Sequence, residues 1–220
     1  MNSATVDYLE LVDKLPTGSR LIIDDVPWDD YEHLLSEIVD SPNIRLSYDQ
    51  GVLEIMSPLP KHESLKVLFA PLFTVLIEEL DLNFYSLGST TFKLPEAARG
   101  VEPDDCFYFR KTDLVVGKDE IDLQHDPAPE LAVEIDISHI SLDKSPIYAS
   151  LGVAELWRHN GNQLRFFRLI GHNYEEIENS DLFPFLPAVT LNGFLLQGKK
   201  QGVIPMVKAF RNWVKANRPS

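Results

Sequence analysis

The sequence lacks the marks of disulfide-rich, zinc-cluster and membrane proteins. Its 220 residues include a single cysteine, Cys106, so an internal disulfide and a cysteine-based zinc cluster are both excluded. The longest nearly continuous apolar run, residues 67–77, contains Pro71 and is well short of the roughly 18 to 20 residues of a bilayer helix. Residues 1–14 carry acids and lack the basic and apolar stretches of a secretory signal. We therefore expect a cytoplasmic protein with no membrane span.

Basic residues are also scarce, since 20 Lys and Arg stand against 34 Asp and Glu for a net charge of -14. This acidity argues against a general nucleic-acid coat protein, because a polyanion is attracted by a basic surface. Residues 190–220, however, carry six bases and no acid. We interpret this stretch either as a solvated helix face with a polar loop, or as a contact to phosphate or to an acidic neighbouring subunit.

No internal repeat, low-complexity tract or Gly/Ser linker divides the chain, so we predict one domain over residues 1–220. Apolar spacing predicts helices at residues 28–39, 61–80, 143–151 and 203–216. Apolar runs predict strands at residues 45–49, 52–56, 83–94, 106–109, 131–137, 155–159 and 164–170. This order is typical of an α/β (or α+β) fold with a mixed sheet flanked by helices.

Turn signals support these boundaries. Gln50-Gly51 and Asn160-Gly161 each separate two predicted strands and favour tight turns. Pro146 fits the first turn of the 143–151 helix, and Gly152 fits a left-handed residue just after its end.

The segment ELAVEIDIS, residues 130–138, places two acids in an apolar strand. Strand alternation puts Glu134 and Asp136 on the face opposite the larger apolar side chains. Burying a carboxylate costs ~5 kcal/mol unless a cation or strong hydrogen-bond donors compensate. We therefore expect a metal ion or a lysine beside them.

A second acid, Asp104, begins the apolar strand of EPDDCFYF, and Lys144 opens the helix that follows the Glu134 strand. Oxygen ligands from Asp104, Glu134 and Asp136 suit Mg²⁺, with Mn²⁺ as the alternative, and Lys144 would place a positive charge beside the attacking water. The alternative is structural. Asp104 would then start a turn, Glu134 and Asp136 would pair with surface bases, and Lys144 would be solvated.

Three segments together resemble a known family. They are GVLEIMS, shortly before His62; GVEPDDCFYF; and PELAVEIDIS, which continues through Lys144 into YASLGVAELWRHNG. Over about residues 21–169 this set resembles the Uma-two family of restriction-endonuclease-like proteins, within the PD-(D/E)xK nuclease superfamily.

The resemblance implies a restriction-endonuclease-like core at about residues 21–170, a C-terminal extension at residues 171–220, and divalent-metal hydrolysis of DNA phosphodiester bonds. It makes Pro103-Asp104 the PD element and Glu134 the acid of (D/E)xK. The lysine position of that motif holds Asp136, and Lys144 matches a lysine that has moved to the following helix. Three further residues, His62, Glu54 and Tyr148, are candidates for lining the pocket.

Two functional hypotheses follow. The first is a Mg²⁺-dependent DNA hydrolase whose catalytic residues are Asp104, Glu134, Lys144 and Asp136. The second is a catalytically weak or inactive protein of the same fold, which forms a homodimer through exposed apolar strands and the last helix.

Overall fold

Two β-sheets and six helices make up the part of the chain that the computed structural model describes. That part is residues 7–38, 44–137 and 141–219, with the backbone alone at Pro60, Lys61 and His62. The elements are α1 (Tyr8–Asp13), β1 (Arg20–Ile23), α2 (Trp28–Glu37), β2 (Arg45–Asp49), β3 (Val52–Met56), α3 (Pro60–Leu80), β4 (Tyr85–Ser86), β5 (Phe92–Leu94), β6 (Arg99–Val101), β7 (Asp105–Tyr108), β8 (Leu131–Ile135), α4 (Ser145–Leu151), β9 (Glu155–His159), β10 (Leu164–Ile170), β11 (Asn173–Ile177), α5 (Ala188–Gln201) and α6 (Val203–Asn217).

The first sheet is antiparallel, with strand order β1-β3-β2-β6-β5. Its central hairpin turns at Gln50 and Gly51, whose φ angles of 49° and 99° confirm the predicted tight turn. Helices α1 and α2 supply Val12, Tyr31 and Leu34 to a core that β2 and β3 complete. Tyr31 lies so close to Gly100 on β6 that any larger residue there would collide with its hydroxyl.

The second sheet has the strand order β11-β10-β9-β8-β7-β4 and is mixed, because β8 and β9 run parallel while its other pairs are antiparallel. A parallel pair needs a crossover, and α4 provides it. Pro146 lies in the first turn of α4, and Gly152 ends the helix at φ 79°, as the sequence predicted. The mixed α/β fold is therefore confirmed.

The largest core lies between the second sheet and three helices. Phe107, Val133 and Trp157 point from the sheet toward α3, whose apolar side chains make up much of this core. Helices α5 and α6 also pack against α3, and α5 contacts β10 of the sheet as well. The apolar stripe predicted for the last helix is confirmed, since Met206, Phe210 and Val214 of α6 are buried in this core.

Basic residues of the C-terminal stretch form ion pairs with acidic residues of the same chain. Arg211 forms ion pairs with Glu78 and Glu79 at 2.6 Å and 2.8 Å, and Lys215 and Arg218 lie 3.7 Å and 3.5 Å from Glu79. Three of the six bases therefore clamp α6 to the end of α3.

The sequence prediction was wrong for residues 83–94, which form two strands in different sheets. β4 belongs to the second sheet and β5 to the first. Gly88, at φ 59°, donates its N–H to Ser86 Oγ at 3.1 Å, and this turn carries the chain from one sheet to the other. Both short strands contribute apolar side chains to a core, so residues 83–94 look like one continuous apolar strand in the sequence. The apolar pattern therefore does not reveal that the chain changes sheets.

Five elements were not predicted: α1, β1, β6, β11 and α5. β1, β6 and α1 are short, and α5 contains Gly193 and Gly198, which weaken a helical pattern. Gly198 has a packing reason, because a Cβ atom there would lie 2.5 Å from Met206 Sδ. The glycine lets α5 and α6 approach closely.

A third, smaller core joins the two sheets. Phe92 and Val101 come from the first sheet, Cys106, Ala132 and Leu156 from the second, and Ile147 and Tyr148 from α4. No helix in the described ranges has the length and apolarity that crossing a bilayer demands.

Candidate active site

Charged side chains form a row across the second sheet at the edge of the small core. In the parallel pair, Glu134 of β8 lies opposite Arg158 of β9. In the antiparallel pair, Asp105 lies opposite Val133, so the next residues outward, Asp104 and Glu134, face each other on neighbouring strands. Strand alternation places all three charged residues on the α4 side of the sheet.

Asp104 is held in place by the backbone of the strand beside it. Its N–H donates to Val133 O at 3.1 Å, and its Oδ2 accepts the N–H of Ile135 at 2.7 Å. The side chain is 5% exposed. A buried carboxylate fixed in this way presents a set of oxygen atoms whose position does not depend on a flexible partner.

Glu134 is the centre of the buried group. Lys144, the residue before α4, brings its Nζ to 3.0 Å from Glu134 Oε2, and the Tyr148 hydroxyl, one helical turn further on, donates to Oε1. Tyr148 lies on the same helix face as Lys144 because the two residues are four apart. The structure therefore brings the lysine of α4 to the acid of β8.

The electrostatic surroundings keep Lys144 charged. Burial alone lowers the pKa of an ammonium group, but the carboxylates of Glu134, Glu54 and Asp104 outweigh burial and raise the pKa of Lys144. Glu54 lies on β3 of the first sheet and is 1% exposed. The cleft thus gathers acids from both sheets around the Lys144 ammonium group.

Burial raises the pKa of Glu134, and the neighbouring charge of Asp104 raises it further, against the opposing effects of Lys144 and Tyr148. Two buried carboxyl groups on opposing strands repel each other when both are ionised. A divalent cation between them would remove this penalty. The donor set of Asp104 and Glu134 therefore fits Mg²⁺, which takes one or two protein carboxylates and completes its shell with water and substrate oxygens.

Asp136 is tied to other partners. Arg20 Nη1 lies 3.4 Å from Asp136 Oδ1, and the Ser141 hydroxyl donates to Oδ2. In residues 7–38, 44–137 and 141–219 no three His, Cys, Asp or Glu side chains are assembled as a ready-made metal site. A ligand role for Asp136 stays a prediction.

Arg20 is a cleft residue that the sequence analysis missed. Its Nε lies 3.3 Å from Glu54 Oε2, which also accepts the N–H of Leu142 at 2.9 Å. Arg20 therefore links Glu54 of the first sheet to Asp136 of the second. Its strand, RLII, is too short to show alternation, so no local pattern could have identified it.

Arg158 was also missed, although a signal was present. In the predicted strand ELWRH, alternation puts Arg158 on the face of Leu156 and opposite to Trp157. A parallel partner strand would have placed it beside Glu134. The register of β8 against β9 supplies that information and is not local.

The cleft itself is small. A cavity of about 10 Å³, roughly the room that one water molecule needs, is lined by Arg20, Glu134, Asp136, Lys144, Tyr148 and Arg158 together with apolar neighbours. His62, which the sequence suggested for the pocket, lies in the first turn of α3, and its side chain is outside the described part of the chain.

No curated protein matches the chain. One similar solved structure is the crystal structure of a "putative nuclease belonging to DUF820" from Anabaena variabilis ATCC 29413. It is 12% identical, the match covers 74% of this chain and 90% of that chain, and the TM-score is 0.45. The family model described as "Putative restriction endonuclease" (Uma2) matches residues 28–197, and the chain therefore belongs to the Uma2 family.

Proposed function

We propose that the protein is a Mg²⁺-dependent endonuclease that hydrolyses DNA phosphodiester bonds. The observation that carries this proposal is the buried contact between Lys144 Nζ and Glu134 Oε2 at 3.0 Å, beside Asp104. The nuclease motif needs two acids and one lysine. The lysine position of the motif holds Asp136 in this chain, and Lys144, just before α4, would take the place of the missing lysine. Membership of the Uma2 family supports the same activity.

Asp104 and Glu134 would hold the ion, with Mn²⁺ as an acceptable substitute because it also prefers oxygen ligands. Bound there, a divalent cation polarises a phosphoryl oxygen and lowers the pKa of a coordinated water. The carboxylate of Asp104 is already oriented by the Ile135 N–H. The Tyr148 hydroxyl orients Glu134.

Lys144 would act on the substrate. Its ammonium group lies against Glu134, next to the place where the phosphate must meet the ion. There it can donate to a non-bridging phosphate oxygen and stabilise the negative charge that grows in the transition state. Glu54, which the proposal does not use as a ligand, leaves Lys144 one acidic neighbour besides Asp104 and Glu134.

The homodimer and the cytoplasmic location stay predictions. Met206, Phe210 and Val214 of α6 are buried within their own chain, so a dimer would have to use other residues of this helix or the exposed strands. Elution volume against concentration checks for a dimer through other surfaces.

A direct test compares Lys144→Met and Glu134→Gln with Lys93→Met. Lys93 is a control because it pairs with Glu32 on the surface of the first sheet, at 2.7 Å and 47% side-chain exposure. Nicking of supercoiled DNA measures activity. The shift of the melting temperature with Mn²⁺ measures ion binding, which contributes about 2.7 kcal/mol at a hundredfold excess over Kd.

We expect Lys144→Met to lose about 10²- to 10³-fold in cleavage rate and to keep the Mn²⁺ shift, because an ammonium group is not a ligand. Glu134→Gln should lose both, and Lys93→Met neither. Cleavage by Lys144→Met at the wild-type rate would contradict the role of the lysine. A wild-type protein with neither cleavage nor a Mn²⁺ shift would favour the inactive interaction protein instead.

A further inference from the structure

Two arginines stand side by side next to the candidate active site. Arg158 of β9 and Arg165 of β10 are direct partners in the antiparallel register. Like charges directly opposite each other on neighbouring strands are destabilising. The pair therefore carries a cost in the free protein that an anion between the two guanidinium groups would remove.

The present partners of these arginines hold them weakly. Arg158 Nη1 lies 3.5 Å from Asp143 Oδ1 and 3.2 Å from Ser145 Oγ, and Arg165 Nη1 lies 3.8 Å from Glu176 Oε2. The arginine side chains are 36% and 46% exposed. Ion pairs this long and this exposed contribute little to stability, so a phosphate can replace them.

A cavity provides room for such a ligand. It measures about 260 Å³, and Arg158, Arg165, Asn160 and Gln163 line it together with Asp136 and Phe167. Asp136 and Arg158 also line the small cavity that holds Glu134 and Lys144. The two cavities are therefore neighbours that share walls, and a chain-like ligand could extend from one into the other.

The spacing suits a nucleic-acid backbone. Adjacent strands lie about 4.8 Å apart, so Arg158 and Arg165 are roughly 5 and 10 Å from Glu134 along the sheet. A DNA strand carries one negative charge per about 3.4 Å of helix axis, so it presents further phosphates over this distance. Paired guanidinium groups also match the two-oxygen geometry of a phosphodiester.

We propose that Arg158 and Arg165 form a phosphate-binding subsite for the DNA strand beside the scissile bond. The inference rests on the proposed function for its ligand, since it takes DNA as the substrate. It explains how a chain with net charge -14 could hold a polyanion, because local guanidinium groups, rather than the overall charge, would make the contact.

The test measures binding without cleavage, in EDTA, by the fluorescence anisotropy of a labelled 20-base-pair duplex at several salt concentrations. The variants are Arg158→Gln, Arg165→Gln and Arg165→Lys. Arg168→Gln is the matched control, because Arg168 lies on the same strand β10 but pairs with Asp181 at 2.8 Å and does not line the cavity. Melting temperatures confirm that each variant folds.

We expect Arg158→Gln and Arg165→Gln each to weaken binding about fivefold to tenfold at low salt. Each should also reduce the slope of log K against log salt by about 0.9, the contribution of one phosphate contact on duplex DNA. Arg165→Lys should retain the slope, and Arg168→Gln should bind like the wild type.

Three results would overturn the subsite: no duplex binding by the wild type, unchanged affinity and slope in both glutamine variants, or an equal loss in Arg168→Gln. The endonuclease proposal fails differently, when wild-type protein binds DNA with the arginine-dependent slope and does not cleave it with Mg²⁺ or Mn²⁺. The two failures are thus separated by one pair of measurements.

Discussion

Two buried glutamates on neighbouring strands show how this protein uses the same side chain in two ways. Glu134 on β8 is 4% exposed and Glu155 on β9 is 1% exposed, and burial raises the pKa of both. They lie on opposite faces of the second sheet. Glu155 points toward the large core, and Glu134 points toward α4 and the cleft.

Their partners are chemically different. Glu155 Oε1 accepts the indole N–H of Trp157 at 2.5 Å, and its Oε2 accepts the backbone N–H groups of Asp181 and Leu182 at 3.0 Å and 3.1 Å. All three donors are uncharged and fixed by the fold. Glu155 therefore ties the loop before α5 to the sheet.

Glu134, in contrast, is balanced by the ammonium group of Lys144 and repelled by the nearby carboxyl group of Asp104. It also borders a cavity. Such a group can exchange one cation for another with little rearrangement. Burial and a raised pKa therefore do not distinguish a structural carboxylate from a candidate catalytic one, whereas the charge of the partners does.

We expect the largest difference in stability between two matched variants, Glu155→Gln and Glu134→Gln. An amide NH₂ at position 155 must face a group that only donates, so we expect the free energy of unfolding to fall by about 2–4 kcal/mol. At position 134 we expect a change within about 1 kcal/mol, because Lys144 keeps Glu54 and Asp104 as charge partners. Urea unfolding followed by tryptophan fluorescence gives both values.

Activity should show the reverse order. At a temperature where both variants are folded, Glu155→Gln should cleave DNA at close to the wild-type rate, and Glu134→Gln should not cleave. Equal stability losses in the two variants, or a cleavage defect in Glu155→Gln, would contradict the division into a structural and a reactive glutamate.

Glu130 provides a second, smaller test. It is 6% exposed, and its Oε2 accepts the backbone N–H groups of Phe109 and Arg110, both at 2.7 Å. Like Glu155, Glu130 therefore has a structural role, because uncharged backbone N–H groups hold it. In Glu130→Gln the amide oxygen can accept both N–H groups, so the loss of charge should cost only about 1 kcal/mol. The melting temperature should fall by roughly 2–4 °C.

Nicking activity in Glu130→Gln should equal that of the wild type when both proteins are folded. A lower rate would show that the turn after β7 affects the cleft through Asp104, which lies at the other end of the same strand.

The same comparison shows where sequence reasoning succeeds and where it stops. Alternation in ELAVEIDIS predicted the face of Glu134, and the opening of α4 predicted a lysine within reach, because both are local properties of a strand and its following helix. The identical argument applies to Glu155 in ELWRH, where an acid also interrupts an apolar strand. Sequence pattern alone would assign the two glutamates the same role.

What separates Glu134 from Glu155 is long-range. The donors to Glu155 come from Asp181 and Leu182, and Glu134 meets acids and bases that β7 and the first sheet bring in. Arg20 is hidden for the same reason, since its partners, Glu54 and Asp136, lie far along the chain. Strand register and sheet-to-sheet packing determine these contacts, and neither is readable from a local pattern.

The smallest test uses His159, which is 1% exposed and lies on the same strand as Glu155. Its Nδ1 accepts the N–H of Gly161 at 2.9 Å. Burial, assisted by the positive charge of Lys199, lowers the pKa of His159 to about 4. Its folded pKa is below its unfolded value of about 6.5, opposite in direction to the raised pKa values of the two glutamates.

The sign of the effect follows from proton binding. Between pH 6.5 and 4 the unfolded chain binds a proton at His159 that the folded protein does not, so the free energy of unfolding falls as the pH falls. One proton contributes at most about 1.4 kcal/mol per pH unit. His159→Asn keeps an acceptor for the Gly161 N–H and removes the titration. Its stability, measured by urea unfolding from pH 7 to pH 4.5, should therefore decline less steeply than that of the wild type.

His172→Asn is the control for this measurement, because His172 is exposed on the turn between β10 and β11. The free energy of unfolding of the wild type should fall steadily relative to that of His159→Asn as the pH falls. The reason is that the unfolded wild-type chain gains a proton at His159, which the variant cannot bind. Parallel profiles for His159→Asn and the wild type would show that His159 titrates alike in the folded and unfolded chains. The face of β9 that carries His159 and Glu155 would then be accessible to solvent, and Glu155 could no longer be regarded as a structural group buried away from water.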